Sequence, residues 1–359
     1  MDIYTRKIIY IYKQRMSKVF SYKPIIECIL DGLQRNTYTR EELAQMAKRL
    51  PCEDVNITYF DNSSTVLMHA SQKGYYDIVE ILLEKEDIDV NIVDCDRCTA
   101  LIYASEYGHY DIVEILLKQE GIDINISDYN YSTALIYASE YGYYEIVLAL
   151  LKQEDIDVNR CDYDECSALI YASKYGHYDI VKLLLEKKGI DVNIYNNNGF
   201  TALLYAFRKG YIGIVELLLE KKGIDVNMQG DNGYNALMYA SEKGYTKIVK
   251  LLLQKRGICI NLQNNSYCTA LILATINKRT ECVKLLLERE GINVNIQNSD
   301  DYTALMCASK RGYCDIVDML LQHKNINIGI QTKHGYNALT VAQKKSRHET
   351  VNILQQYMN

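Results

Sequence analysis

No stretch of the chain approaches the ~20 consecutive apolar residues that a membrane-crossing helix needs. The longest apolar run near the start, Ile8-Ile9-Tyr10-Ile11-Tyr12, is flanked by Lys7 and Lys13. It is too short for a signal-peptide core, and no small-residue cleavage site follows it. These absences point to an intracellular protein with no membrane insertion. Its 11 cysteines are then expected as reduced thiols, and Asn130-Tyr131-Ser132 as an unmodified sequon. A basic excess is also missing. Lys and Arg number 40 against 46 Asp and Glu, a net charge of −6. General nucleic-acid binding needs a basic surface to meet phosphates, so this balance speaks against nucleic acid as a partner. Tryptophan is absent and proline occurs twice, whereas tyrosine occurs 32 times. AT-rich coding favours such a bias, so part of the tyrosine excess has a compositional source.

What the chain has instead is self-similarity. Thr-Ala-Leu-Ile-Tyr-Ala-Ser begins at Thr99, returns at Thr133, and reappears with Ser at its head at Ser167. Related copies begin at Thr201, Asn235, Thr269, Thr303 and Asn337, and a looser one at Thr65, always 34 residues apart. The leading Thr, Ser or Asn is a residue that accepts a hydrogen bond from the free amides of a helix start. Leu two places on (Leu67 to Leu339) and Ala five places on (Ala70 to Ala342) share a helix face, and the small Ala implies close helix approach. Gly nine after the cap (Gly74, Gly108, Gly142, Gly176, Gly210, Gly244, Gly312) suits a left-handed helix terminator. A second helix follows, with Ile112, Val113, Leu116 and Leu117 as its apolar stripe. Gly121, an extended segment at 122–126 and a polar turn from Ser127 to Ser132 lead to the next cap.

This helix–turn–helix–loop unit resembles the ankyrin repeat. The resemblance is carried by the Thr-Ala-Leu-x-x-Ala helix start, Gly-His at 108–109 and 176–177, the Ile-Val-x-x-Leu-Leu helix, and Asp-Val-Asn at 89–91, 157–159, 191–193 and 225–227. It covers residues 65–359. Ala replaces the family's Pro after the Thr, an aliphatic residue replaces its His within the first helix, and the loop after the second helix is one residue longer. Similar variants occur in ankyrin proteins of AT-rich protists and large DNA viruses. The resemblance implies an all-α ankyrin solenoid of stacked helix pairs with hairpin loops, in which one unit cannot bury its apolar faces alone. The expected divisions are an N-terminal extension at 1–23, a degenerate capping repeat at 24–64, eight repeats at 65–336 and a C-terminal cap at 337–359. Pro24 suits a helix start, Thr39 with Glu42 forms a capping box, and Asp54-Val55-Asn56 echoes the loop motif. Residues 1–23 are expected to add a short helix over the first repeat.

Sites of chemistry are scarce. No Gly-rich phosphate loop with Lys-Ser/Thr is present. His348-Glu349 opens like a zinc-protease motif, but Asn352 stands where the second His must be. The acidic run Asp162 to Glu165 lacks the length and spacing of a calcium loop. Cys95-x-x-Cys98 is half a zinc site, but the next pair, Cys161 and Cys166, stands two repeats away, out of reach of ~2.3 Å zinc–sulfur bonds. The expectation is therefore no catalytic residue, no metal and no cofactor. His109 and His177 fit the local hydrogen-bonding role that the resemblance implies.

Positions four, seven and eight after the cap face away from the Leu and Ala stripe. In three consecutive copies they read Tyr103, Glu106, Tyr107; Tyr137, Glu140, Tyr141; and Tyr171, Lys174, Tyr175. Six tyrosines thus lie on what the resemblance makes the concave binding surface. Tyrosine is enriched in binding hot spots. Later copies turn that face basic with Arg208, Lys209, Lys243, Lys310, Arg311, Lys344 and Lys345. The expected function is a monomeric, non-catalytic scaffold or adaptor that binds a protein partner through this surface. The alternative is an anion- or nucleic-acid-binding module using the basic C-terminal half.

Overall fold

A computed structural model describes residues 25–58 and 63–358. The extension at 1–23 and its expected covering helix lie outside the described residues, as does Pro24. The chain divides into two compact units after Asp191. In the first, a helix at 25–35 and the helix Arg40–Arg49 precede three helix pairs: Val66–Lys73 with Tyr76–Leu83, Ala100–Glu106 with Tyr110–Leu116, and Ala134–Tyr141 with Tyr144–Leu151. A fourth pair, Ala168–Tyr175 and Tyr178–Glu186, completes it. The second unit pairs Ala202–Lys209 with Ile212–Glu220, Ala236–Lys243 with Thr246–Gln254, and Ala270–Ile276 with Thr280–Leu287. It ends with Ala304–Arg311 and Cys314–Leu321, then Ala338–Lys344 and His348–Met358. Inside each unit, first helices pack on first helices of the adjoining copy and second helices on second helices.

Each first helix begins where the sequence places its cap. Thr65, Thr99, Thr133, Ser167, Thr201, Asn235, Thr269, Thr303 and Asn337 each accept a hydrogen bond from the amide three residues on. Thr39 and Glu42 form the expected capping box, with the Thr39 amide donating to Glu42 at 2.8 Å. The first helices are buried on almost every side. Ala100, Leu101, Ile102, Ala104 and Ser105 are all buried, because neighbouring copies flank the helix and the second helix backs it. Each Leu buried this way contributes about 1.5–3 kcal/mol.

Glycine nine after the cap has two duties. Its φ is positive, 74° at Gly74 and 83° at Gly142, which closes the helix. It also leaves room for the residue ten after the cap of the following copy. A Cβ on Gly74 would stand 2.6 Å from the His109 ring, one on Gly108 2.7 Å from Tyr143, and one on Gly142 2.5 Å from His177. Lys278 and Ser346 replace this Gly, and both keep the left-handed turn, with φ of 50° and 56°. Asn277 does not assume that role; its φ is −94°.

The segment at 122–126, expected as extended, instead turns at Ile124 and Asn125. Asp123 causes this by accepting a hydrogen bond from the Asn125 amide at 2.9 Å, an Asx turn that caps its own backbone. Asn125 then reaches forward. Its Nδ2 donates to the Asp155 carbonyl at 2.8 Å and its Oδ1 accepts from the Asp157 amide at 2.9 Å. Asn91 does the same with Gly121 and Asp123. The N-terminal Asn56 makes the equivalent bonds to Asp87 and Asp89, which joins the degenerate segment to the regular array.

Candidate protein-interaction surface

The tyrosine face of the first unit has two layers. Tyrosines four after the cap form the inner one. Tyr103 donates to Asp94 at 2.6 Å, Tyr137 to Asp128 at 2.6 Å, and Tyr171 to Asp162 at 2.5 Å. The other oxygen of each Asp holds the hairpin turn: that of Asp94 accepts from the Asp96 and Cys98 amides, and that of Asp162 from the Asp164 and Cys166 amides. One carboxylate therefore ties the hairpin to its own first helix. Tyr171 is buried, and Tyr103 and Tyr137 are half-buried. Burial, reinforced by the bond to the carboxylate, pushes all three phenols well above their ordinary range.

Tyrosines eight after the cap form the outer layer. Tyr107, Tyr141 and Tyr175 are exposed by 48%, 50% and 44%. The layers stack: Tyr137 lies on Tyr141 with centroids 6.4 Å apart and planes 5° apart, and Tyr171 on Tyr175 at 6.3 Å and 3°. Lys174 places its ammonium 5.1 Å from the Tyr171 centroid and 5.0 Å from that of Tyr175. At the same register, Glu106 and Glu140 are half-buried. Burial raises the pKa of both. Asp128 and Glu140 add to the effect at Glu106, whereas Lys174 and a hydrogen bond from Tyr175 oppose it at Glu140.

In the second unit the register eight after the cap carries exposed Lys209, Lys243, Arg311 and Lys345. Cations seven after the cap rest on hairpin rings: Arg208 lies 5.2 Å over Phe200, Lys310 4.7 Å over Tyr302, and Lys344 4.4 Å over Tyr336. Lys310, Arg311, Lys345 and Arg347 line a cleft of about 410 Å³ together with Tyr302, Asp300 and Ile276.

Three features of this surface go beyond the helical pattern of the sequence. Asp94, Asp128 and Asp162 each stand nine residues before their tyrosine, a spacing visible in three copies. Hairpin-tip tyrosines Tyr129, Tyr131 and Tyr163 are exposed by 65%, 59% and 73%. The charge is also split: residues 65–191 hold 25 Asp and Glu against 10 Lys and Arg, whereas 192–359 hold 13 against 20.

The cysteines of the hairpins separate by burial. Cys95 is exposed and Cys98 buried. Burial, followed by Asp94 and Asp128, pushes the Cys98 thiol up to about 12. His109 Nε2 lies 3.0 Å from the Gln72 carbonyl and His177 Nε2 2.9 Å from that of Glu140, local bonds between adjoining copies. Arg279 and Arg347 make the same kind of bond with Nε, to the Glu242 and Lys310 carbonyls.

The family model for ankyrin repeats (3 copies) matches overlapping windows from 38–128 through 126–196 and 188–264 to 291–359. The chain belongs to the ankyrin repeat family, whose members are generally protein–protein interaction modules. No curated protein matches it. No helix among the described residues is long and apolar enough to cross a membrane.

Proposed function

We infer that the protein is a non-catalytic, monomeric scaffold of the cell interior that holds a protein partner against the first-helix and hairpin surface of its first unit. The observation that carries this is the outer tyrosine column. Tyr107, Tyr141 and Tyr175 are about half exposed at one register, and two of them stack on inner tyrosines pinned by carboxylates. Such rings offer large contact area and lose little entropy on binding. Tyr103, Tyr137 and Tyr171 serve as the rigid backing. The non-catalytic reading is supported by membership of the ankyrin repeat family, whose members typically serve as scaffolds. The test is replacement of Tyr107, Tyr141 and Tyr175 together by Ala, with helicity checked by circular dichroism. Affinity for a partner isolated from the native cell should fall by more than ~2 kcal/mol. Unchanged affinity in a folded variant refutes the reading.

A second reading is favoured by the cleft at Lys310, Arg311, Lys345 and Arg347, where four cations meet one carboxylate, Asp300. Arg208, Lys209 and Lys243 carry the same sign elsewhere on the second unit. An acidic protein segment or another polyanion suits that charge. Binding that weakens steeply with salt and fails in Lys310→Glu, Arg311→Glu supports this reading; salt-insensitive binding overturns it.

A further inference from the structure

Lys174 shows what the stacked tyrosine pairs accept. Its ammonium lies over the parallel rings of Tyr171 and Tyr175, and its charge acts on Glu140 of the preceding copy. A ring face is electron-rich, so a cation held there is attracted by both rings, and a nearby carboxylate adds to the attraction.

One copy earlier the same frame stands without its cation. Tyr137 and Tyr141 are stacked in the same way, but the residue in the register of Lys174 is Glu140. It faces Glu106 of the copy before, also half-buried. The charges acting on Glu106 come from Asp128 and Glu140, both of its own sign, and no cation forms an ion pair with it among the described residues. The stacked rings of Tyr137 and Tyr141 thus carry Glu140 in the register where the next copy has an ammonium group, with Glu106 of the preceding copy adding charge of the same sign. The excess of 25 acidic over 10 basic residues across 65–191 extends the same sign over the whole array of this unit.

We propose that this position is a subsite for an arginine or lysine side chain of a partner's cationic segment, seated on Tyr137 and Tyr141 between Glu106 and Glu140. It rests on the reading of the tyrosine face as the partner-binding surface, and it names the chemistry of the partner. The hairpin-tip rings of Tyr129, Tyr131 and Tyr163 stand beside the anchoring aspartates and offer further aromatic contacts to such a segment.

The test uses the full chain and a labelled peptide of repeated Arg-Gly-Ser, with a twin in which citrulline replaces every arginine. Citrulline keeps the shape and removes the charge. The arginine peptide should bind and its twin should not. Glu140→Lys supplies the cation from within, as Lys174 does, and should weaken the arginine peptide by about tenfold or more. Glu106→Gln should weaken it by a smaller factor with the fold intact. Glu145→Lys with Glu154→Lys changes the net charge in the same direction on exposed positions away from this face and should alter affinity by less than about threefold. Equal weakening by this control pair, equal binding of the citrulline twin, or no binding of the arginine peptide each overturns the subsite. The outcomes separate from those of the tyrosine test. If Tyr107, Tyr141 and Tyr175 are needed for the native partner while Glu140→Lys leaves that partner untouched, the surface stands and the cationic subsite falls.

Discussion

Tyr171 and Asp162, nine residues apart, share a 2.5 Å hydrogen bond that fastens a hairpin to its own first helix. The Tyr171 ring is buried, so Tyr171→Phe takes the phenol donor from one carboxylate oxygen of Asp162, while the other keeps the Asp164 and Cys166 amides. The loss should be about 1.5–3 kcal/mol, the range for hydrogen bonds to charged groups. Tyr175→Phe, on the exposed ring of the same stack, should stay within ~0.5 kcal/mol. Urea unfolding of the two variants checks this. Equal effects would show that the anchor carries no stability.

Two glycines separate sterics from backbone preference. Gly74 and Gly121 have similar φ, 74° and 76°, but a Cβ at Gly74 meets the His109 ring at 2.6 Å while one at Gly121 meets nothing within 4 Å. Gly121→Ala should cost about 1–2 kcal/mol for the left-handed backbone alone. Gly74→Ala should exceed it by about 1–3 kcal/mol of overpacking. Thermal or urea denaturation of both decides it; equal costs would mean that His109 moves aside freely.

Left-handed strain occurs where a residue other than Gly holds a positive φ. Lys278 has φ of 50°, and Tyr267, exposed by 59%, has φ of 56°. Tyr267 stands two before its cap, a turn that Gly199, Gly233 and Gly335 take in three copies and residues such as Arg97, Tyr131 and Glu165 take in others. Tyr267→Gly should stabilise by about 1 kcal/mol. Lys278→Gly should gain less, because Lys278 also places its ammonium 5.3 Å over Tyr313, a contact worth ~0.5–1 kcal/mol. Hydrogen exchange around 276–282 should be faster than at 112–117 and should slow in Lys278→Gly. Uniform exchange along the chain, with no gain from either variant, refutes the strain.

The hairpin thiols should differ in reactivity. Only thiolate is nucleophilic. Cys98 is buried and pushed up to about 12, so iodoacetamide at pH 8 should modify exposed Cys95 well before Cys98 in the folded protein, as read by peptide mass spectrometry. Cys307, also pushed to about 12 by burial, should be protected alongside it. The linkage has a definite sign. Between the unfolded thiol value and about 12 the folded chain holds protons that the unfolded chain releases, so stability is full below that window and falls as pH rises through it. Cys98→Ala should flatten that alkaline decline; an unaltered slope would assign it to other groups, the raised phenols of Tyr103, Tyr137 and Tyr171 first among them.

Much of the fold is legible in the sequence because each rule acts over short range. A cap at Thr99 bonds the amide of Ile102, and Gly108 ends the turn that follows, so local chemistry sets the helix limits. The site was harder to read. Helical periodicity puts Tyr103 and Tyr107 on one face, yet it treats them alike. What separates them is Asp94 in the hairpin, which the helix pattern does not include. The second duty of Gly74 was hidden for a similar reason, since His109 belongs to the next copy, 35 residues on. The segment at 122–126, expected as extended, contains a turn because a side chain bonds the backbone two residues on. Asp123 bends the chain by bonding the Asn125 amide.

The forward-reaching Asn of each loop has a consequence for how such a chain changes over generations. Asn91 bonds Gly121 and Asp123, and Asn125 bonds the equivalent Asp155 and Asp157, so one loop meets its successor through backbone groups that every copy presents. Excision of residues 99–132 would set Asn91 against Asp155 and Asp157 with the same donors and acceptors. Unequal crossing-over between near-identical stretches of 34 codons therefore yields a chain whose joints already fit. What such an event alters is the order of side chains on the outer face: a stacked tyrosine pair gained or lost, a Lys174 moved beside a different Glu. The loops act as a standard coupling, which lets recombination rewrite the binding surface without redesigning the parts that hold it up.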